Sequence, residues 1–169
     1  MVRPEQSRTT TSDVPQLACV GLGSNLGDRA ATIRRAIEEL SGLPRSRLVA
    51  SSSLHETASV GGVPQGPYLN AAALIETSLS PRELLGQLLR IERAAGRDRA
   101  KEQRWGPRTL DLDLIFFADR IISEPDLKVP HPLMHERMFV LEPLAEIAPR
   151  AVHPVLNRTV IELRDAFSA

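Results

Sequence analysis

The segment Leu110-Asp111-Leu112-Asp113-Leu114 alternates apolar and acidic residues and then runs into Ile115-Phe116-Phe117. Period-2 alternation of this kind specifies a β-strand with one face in a core. It places the leucines on one side and both aspartates on the other, roughly 6.5–7 Å apart along the backbone. Two like charges on an otherwise apolar strand repel each other and are costly to desolvate. A solvated edge face with arginines as counter-ions would relieve that cost. So would Mg²⁺, typically held by one or two carboxylates together with substrate phosphates. The preceding Arg104-Trp105-Gly106-Pro107-Arg108 supplies two guanidinium groups suited to phosphate oxygens and favours the second solution. Metal-binding carboxylates beside phosphate-binding arginines point to phosphoryl transfer.

The positive charge around that strand is local. Lys+Arg and Asp+Glu are both 21, so no global field draws in nucleic acid or an anionic membrane. Between Gly96 and Arg108, however, five basic residues (Arg97, Arg99, Lys101, Arg104, Arg108) face two acidic ones (Asp98, Glu102). Arg97 reads more easily as a surface charge than Arg99 or Arg108. The single cysteine, Cys19, lies in an apolar run, which excludes a disulfide framework and predicts a buried strand thiol. No 18-residue apolar stretch is present, so a cytoplasmic protein without a membrane span is expected. Residues 1–15 are polar and patternless and read as a flexible tail, with 16–169 forming a single domain.

The element order follows from periodicity and punctuation. A first strand is expected over 17–21, with the glycine run Gly21 to Gly27 as its turn into a helix. That run has Leu26 where a dinucleotide fingerprint needs glycine, and it lacks the Gly-Lys-Ser/Thr of a P-loop. Asp28 caps a helix whose buried stripe is Ala30, Ile33, Ile37 and Leu40. Strands are expected over 48–57 and 68–77, separated by a flexible loop, 58–67, able to close over a ligand. Ser80-Pro81-Arg82-Glu83 is a capping box for a second helix with Leu84, Leu88, Ile91 and Ala95 inward, stopped at Gly96. The Asp-x-Asp strand follows, with Phe116 and Phe117 in the core. Short helices near 133–137 and 143–147 and a terminal helix capped by Thr159 and Glu162 complete the chain. The order β-α-β-β-α-β defines an α+β, ferredoxin-like α/β sandwich: a mainly antiparallel central sheet with helices on its faces.

The run Arg104 to Asp113 resembles the signature of the 6-hydroxymethyl-7,8-dihydropterin pyrophosphokinases of folate biosynthesis. Collinear pieces extend the likeness over about residues 18–155. They are Gly23-Ser24-Asn25-Leu26, Glu56-Thr57, Tyr68-Leu69-Asn70-Ala71-Ala72, Arg90-Ile91-Glu92, Val129-Pro130-His131-Pro132 and Arg137-Met138-Phe139-Val140-Leu141. The resemblance implies transfer of the β,γ-diphosphate of ATP to the pterin hydroxymethyl oxygen, with release of AMP. It makes Asp111 and Asp113 ligands of two Mg²⁺ ions, and Arg97 and Arg99 catalytic loop residues closing over the triphosphate. It implies ATP contacts from Glu92, Arg99, Trp105, Arg108, Leu114, His131 and Arg137, and pterin contacts from Thr57, Val60, Tyr68, Asn70, Trp105 and Phe139.

A flat heterocycle needs aromatic faces and fixed edge partners, and the only Trp and the only Tyr of the chain both fall in matched motifs. Asn70 offers a donor and an acceptor on the strand face shared with Tyr68. Ala58-Ser59 stand where many relatives carry a proline pair, which predicts a looser first loop. Leu89, Asp126 and Lys128 also depart from nucleotide-contacting positions of some relatives. The partners expected are ATP and the pterin, with no nucleic acid or membrane, and the state a monomer. Two rival readings remain at this level: a kinase transferring only the γ-phosphate, recognised by ADP as product, and a ferredoxin-like binding module without turnover.

Overall fold

A computed structural model describes residues 14–167, so nearly all of the tail expected over 1–15 lies outside the described residues. In chain order the regular elements are β1 (Gln16–Ser24), α1 (Arg29–Ser41), β2 (Ser46–Ser51), β3 (His55–Thr57), β4 (Tyr68–Thr77) and α2 (Pro81–Ala94). They continue with β5 (Asp111–Phe117), β6 (Ile122–Glu124), β7 (Leu127–Val129), α3 (Met138–Ile147), β8 (Val152–His153), β9 (Arg158–Thr159) and α4 (Val160–Ala166). The main sheet has the order β2-β4-β1-β5, all pairings antiparallel, with β3 extending β2's place beside β4. This is the ferredoxin-like arrangement that the order of elements requires.

Each face of the sheet has its own core. Ala18, Val20 and Leu22 of β1, Ala73 and Ile75 of β4, and Leu112, Leu114 and Phe117 of β5 pack with Ile33 and Leu40 of α1 and Leu84, Leu88 and Ile91 of α2. Burying an aliphatic or aromatic side chain of this size contributes about 1.5–3 kcal/mol. On the other face Cys19, Ala72, Ile115 and Phe116 pack with Val140, Leu141 and Leu144 of α3 and Val160 and Leu163 of α4. A β-bulge lets Ile115 and Phe116 both enter this second core. Phe116 pairs with Cys19 and Leu114 with Val20, so Ile115 is the extra residue. Burial pushes the Cys19 thiol up to about 12, which keeps it protonated and inert.

The helix starts follow the sequence. Asp28 accepts from the Ala31 amide at 3.1 Å, and Ser80–Glu83 and Thr159–Glu162 form complete capping boxes. Four boundaries differ. β1 runs on to Ser24, so Gly21 and Gly23 are strand residues and the turn is confined to the residues around Gly27, at φ +65°. The strand expected over 48–57 is two, because Ser52 leaves the ladder and its hydroxyl accepts from the Ala72 amide at 2.8 Å. The segment 133–137 contains only a 3-10 turn, Met134–Glu136, and α3 begins at Met138 with Pro143 inside it. The small hairpin β8–β9 has no signal in the hydrophobic pattern. No helix among the described residues is long and apolar enough to cross a membrane.

Candidate active site

Helices α3 and α4 cover one end of the second sheet face. The other end is open and floors a cavity of about 790 Å³. Its floor is built from alternate residues of three strands: Gly21 and Gly23 of β1, Tyr68 and Asn70 of β4, and Asp111 and Asp113 of β5. The strand register places Gly23 beside both Asn70 and Asp111, so ring-binding and acidic groups sit on adjacent rows. Space at Gly23 is tight. A Cβ on Gly23 would lie 3.3 Å from Asn70 Oδ1 and 3.5 Å from Tyr68 Cδ1. Gly23→Val is therefore expected to raise the KM for the ring-containing substrate about tenfold, a loss of contact worth about 1.4 kcal/mol. Steady-state kinetics beside an unchanged circular dichroism spectrum would check it.

The walls carry the aromatic groups. Phe139, at the start of α3, and Tyr68 both line the cavity, as do Trp105 and, from the end of α4, Phe167. Arg137 Cζ lies 5.6 Å from the Phe139 ring centroid and Arg104 Cζ 5.6 Å from that of Trp105. Both rings are thus backed by cations. Asn70 is buried and donates to the Thr57 hydroxyl at 2.7 Å, leaving its carbonyl oxygen for another donor.

The two aspartates have opposite environments. Asp111 Oδ1 accepts from Arg97 Nη1 at 2.6 Å and Oδ2 from Arg108 Nη1 at 2.9 Å. Burial alone would push its carboxyl up, but Arg108 and Arg97 outweigh this and hold it below the ordinary aspartate value. No hydrogen bond or ion pair engages Asp113 among the described residues. Burial first, then the charges of Asp111 and Glu92, push its carboxyl up to about 7. The charges of Arg137 and Arg108 offset this only in part, so the acid is short of positive charge among the described residues. Hard carboxylate oxygens in a site bordered by phosphate-binding groups suit Mg²⁺.

The basic loop is ordered by carboxylates. Arg97, the residue that looked most like a surface charge, has a side chain only 2 % exposed. Its Nε and Nη2 donate to Glu102 at 2.6 and 3.0 Å, and Nη1 donates to Glu92, Asp111 and the Leu110 carbonyl. The surface reading of Arg97 is corrected accordingly: three carboxylates compensate its burial and keep it charged. Glu92 is buried at 1 % exposure and also accepts from Arg99 and from the Leu112 amide. Arg99 by contrast is half exposed.

Of the residues singled out from sequence, the cavity brings together Thr57, Val60, Tyr68, Asn70, Trp105, Arg108, Asp111, Asp113, Arg137 and Phe139. Glu92, Arg97 and Arg99 instead line a second, shallower concavity of about 410 Å³ with Leu89. Leu114 lines neither; its side chain is in the α1–α2 core, on the face opposite Asp113. His131 lies beside β5, donating its amide to the Ile115 carbonyl, and its Nδ1 accepts from the Leu133 amide. Burial and then Arg137 lower its pKa, so it is neutral at pH 7. Arg104, read with Arg108 as a phosphate-binding guanidinium, also lines the cavity, whereas sequence reasoning missed Gly21 and Gly23 as floor residues, Glu136 as a lining charge and Phe167 as an aromatic rim.

The fold and this cavity define a ferredoxin-like α/β sandwich with a site of the size that takes small molecules. Residues 19–149 match the profile of 7,8-dihydro-6-hydroxymethylpterin-pyrophosphokinase, and the chain belongs to that family. Curated relatives carry the name 2-amino-4-hydroxy-6-hydroxymethyldihydropteridine pyrophosphokinase. The protein from Synechocystis sp. is 45 % identical over 155 residues, covering 90 % of this chain and 78 % of the relative. That of Haemophilus influenzae is 44 % identical over 151 residues, 89 % of this chain and 92 % of the relative. Among solved structures, Plasmodium falciparum HPPK-DHPS superposes with a TM-score of 0.70 at 16 % identity, over 92 % of this chain and 44 % of that one. A likeness at that identity speaks for the fold.

Proposed function

We propose that this chain transfers the diphosphate of ATP to 6-hydroxymethyl-7,8-dihydropterin, giving the pterin diphosphate and AMP in folate biosynthesis. Family membership carries the reaction. The observation that carries the assignment of residues is Asp113, an acid without a partner on the floor of a cavity that also holds aromatic walls and arginines.

The pterin lies between Tyr68 and Phe139, its edge read by Asn70 and Thr57, with its hydroxymethyl group directed toward the aspartate row. Arg99, Arg104, Arg108 and Arg137 take the triphosphate, and His131 and Glu92 border the nucleotide. Arg97 acts by holding Asp111 in place. Two Mg²⁺ ions held by Asp111 and Asp113 would neutralise the triphosphate and lower the pKa of the attacking hydroxyl. The hydroxymethyl oxygen bonds to the β-phosphorus, the bond from that phosphorus to the α,β-bridging oxygen breaks so that AMP leaves with that oxygen, and the hydroxyl proton passes to solvent. Trp105 and the 58–67 loop exclude water, whose attack on ATP is the competing reaction. Positioning and charge neutralisation account for such catalysis without a covalent intermediate. The cavity is complete within one chain, which supports a monomer. The lone buried thiol suits the reducing cytoplasm.

Phosphorus NMR of a mixture of protein, ATP, MgCl₂ and the reduced hydroxymethylpterin tests the reading. AMP and a pterin diphosphate are expected, with turnover lost on chelation by EDTA and restored by MgCl₂. Accumulation of ADP would replace the reading by ordinary γ-phosphoryl transfer, and turnover unaffected by EDTA would remove the metal pair.

A further inference from the structure

β3 is only three residues long, yet it carries one corner of the ring site. Its pairing with β4 sets His55 opposite Asn70 and Thr57 opposite Tyr68. Residues directly opposite in a ladder share a face, as do residues two apart on one strand. His55 therefore stands on the face that floors the cavity, one row behind Thr57. Among the described residues β3 pairs with β4 alone. So short an edge strand is weakly held by its ladder and needs a second anchor to fix Thr57.

That anchor comes from α3. Two serines at the joint between β2 and β3 hold the chain in two directions. Ser52 is tied to β4: its amide donates to the Ala72 carbonyl at 2.9 Å, and its hydroxyl accepts from the Ala72 amide at 2.8 Å. Ser53 turns to the helix instead. Its amide donates to Glu146 Oε2 at 2.9 Å and its hydroxyl to Glu146 Oε1 at 2.6 Å. The His55 imidazole donates from Nε2 to the same Oε1. Three donors of one short segment thus converge on a single carboxylate far along the chain. Together they hold the Glu146 carboxyl below the ordinary glutamate value, Ser53 being the larger cause and His55 the smaller.

A serine, an imidazole and a carboxylate in contact invite comparison with a nucleophilic triad, but the geometry excludes one. A triad needs the imidazole between alcohol and acid, with one nitrogen to each. Here Ser53 and His55 meet the same oxygen, and the hydroxyl proton already points at the acid. The cluster is a clasp between β3 and α3. Glu146 and Phe139 are seven positions apart on α3, two turns or about 10 Å along one stripe of the helix. The helix therefore carries Phe139 to one side of the ring site and grips, through Glu146, the strand that presents Thr57 on the other. Thr57 in turn accepts from the Asn70 side chain at 2.7 Å.

We infer that His55 and Glu146 are positioning residues: their clasp with Ser53 sets the gap between Phe139 and the Thr57–Asn70 edge, and with it the affinity for the flat ring substrate. None of the three lines the cavity. They act through Thr57 and Phe139, which do. The inference rests on the proposed function for the identity of the ring, whereas the clasp itself is read by binding, without turnover.

Three single variants and one double variant test it. Glu146→Gln leaves one acceptor oxygen for three donors. His55→Phe keeps a ring and removes the donor, whereas His55→Gln keeps a donor at similar reach. Equilibrium binding of 6-hydroxymethyl-7,8-dihydropterin is measured with a non-hydrolysable ATP analogue and MgCl₂ present, beside steady-state kinetics. Kd and KM for the pterin should rise about fourfold in Glu146→Gln and in His55→Phe, the loss expected for one partly exposed polar contact. kcat and the KM for ATP should stay within about twofold, because the clasp touches neither phosphates nor aspartates. Tm should move by less than about 3 °C. His55→Gln should bind the pterin within about twofold of wild type. The Glu146→Gln/His55→Phe double variant should also lose about fourfold, where independent contributions would multiply to about sixteenfold. A sixteenfold loss in the double variant would overturn the clasp, as would a lower Tm with an unchanged pterin Kd, the mark of a merely structural contact. Equal losses in the KM for ATP and for the pterin would overturn its assignment to the ring site. A wild type that binds the pterin with these variant effects yet makes no AMP would overturn the proposed function and leave the clasp standing. A wild type that binds no pterin would overturn both.

Discussion

Asp113→Asn abolishes diphosphate transfer, by roughly a thousandfold or more, and at the same time stabilises the metal-free protein above neutral pH. The second effect follows from the first residue's isolation. The carboxyl of Asp113 is raised from 3.8 to about 7 in the folded chain, by burial and by Asp111 and Glu92. Between about pH 4 and pH 7 the folded state therefore binds more protons than the unfolded state. Wild-type stability falls as pH rises through that window and stays reduced above it. Asparagine carries no charge at any pH, so its advantage should be near zero at pH 4 and reach a plateau above pH 7. The plateau is on the order of 1–4 kcal/mol, or about 3–10 °C in Tm. Calorimetry in EDTA at pH 5 and pH 8 measures it. An equal Tm difference at the two pH values would show that Asp113 bears no ionisation strain. Asp111→Asn should have the opposite sign: Arg97 and Arg108 lose a carboxylate at 2.6 and 2.9 Å, and the metal-free protein should be destabilised. Two aspartates two positions apart thus separate into one already compensated by arginines and one held at a cost for its ligand.

The parts legible in the sequence were those written in local pattern. The Leu/Asp alternation gave the faces of β5 correctly up to Leu114. It fails at Phe116, which follows Ile115 onto the same face, because the bulge at Cys19/Val20 is set by pairing with β1, which no local pattern encodes. The glycine run of β1 looked like a turn because glycine disfavours strands; tertiary space overrides that preference, since Gly23 must leave room for Asn70 and Tyr68. Gln65 carried no signal at all. Its side chain accepts from Asn25, 40 positions earlier, and donates to the Trp105 carbonyl, 40 positions later. The exposures of Arg97 and Arg99 came out reversed for the same reason. Charge counting shows that the loop is basic, but only the folded chain shows which guanidinium meets Glu92, Glu102 and Asp111 together.

That reversal yields the other large expected effect. Arg97→Ala leaves three carboxylates without their shared cation, two of them, Glu92 and Asp111, already crowded by Asp113. Removing one partner of a buried ion pair costs about 3–5 kcal/mol. A loss of that size, about 6–15 °C in Tm, is expected here. Arg97→Lys should recover only a minor part, because one ammonium cannot meet Glu102 with two donors and still reach Glu92, Asp111 and the Leu110 carbonyl. Arg99→Ala should leave Tm within about 2 °C, since that side chain is half exposed and Glu92 keeps Arg97 and the Leu112 amide. Its effect should appear instead in the KM for ATP. Thermal melts and ATP kinetics on the three variants separate the roles. A fully stable Arg97→Ala would mean that Asp111 is held by Arg108 alone, and the burial of Arg97 would then have no part in presenting the acidic pair.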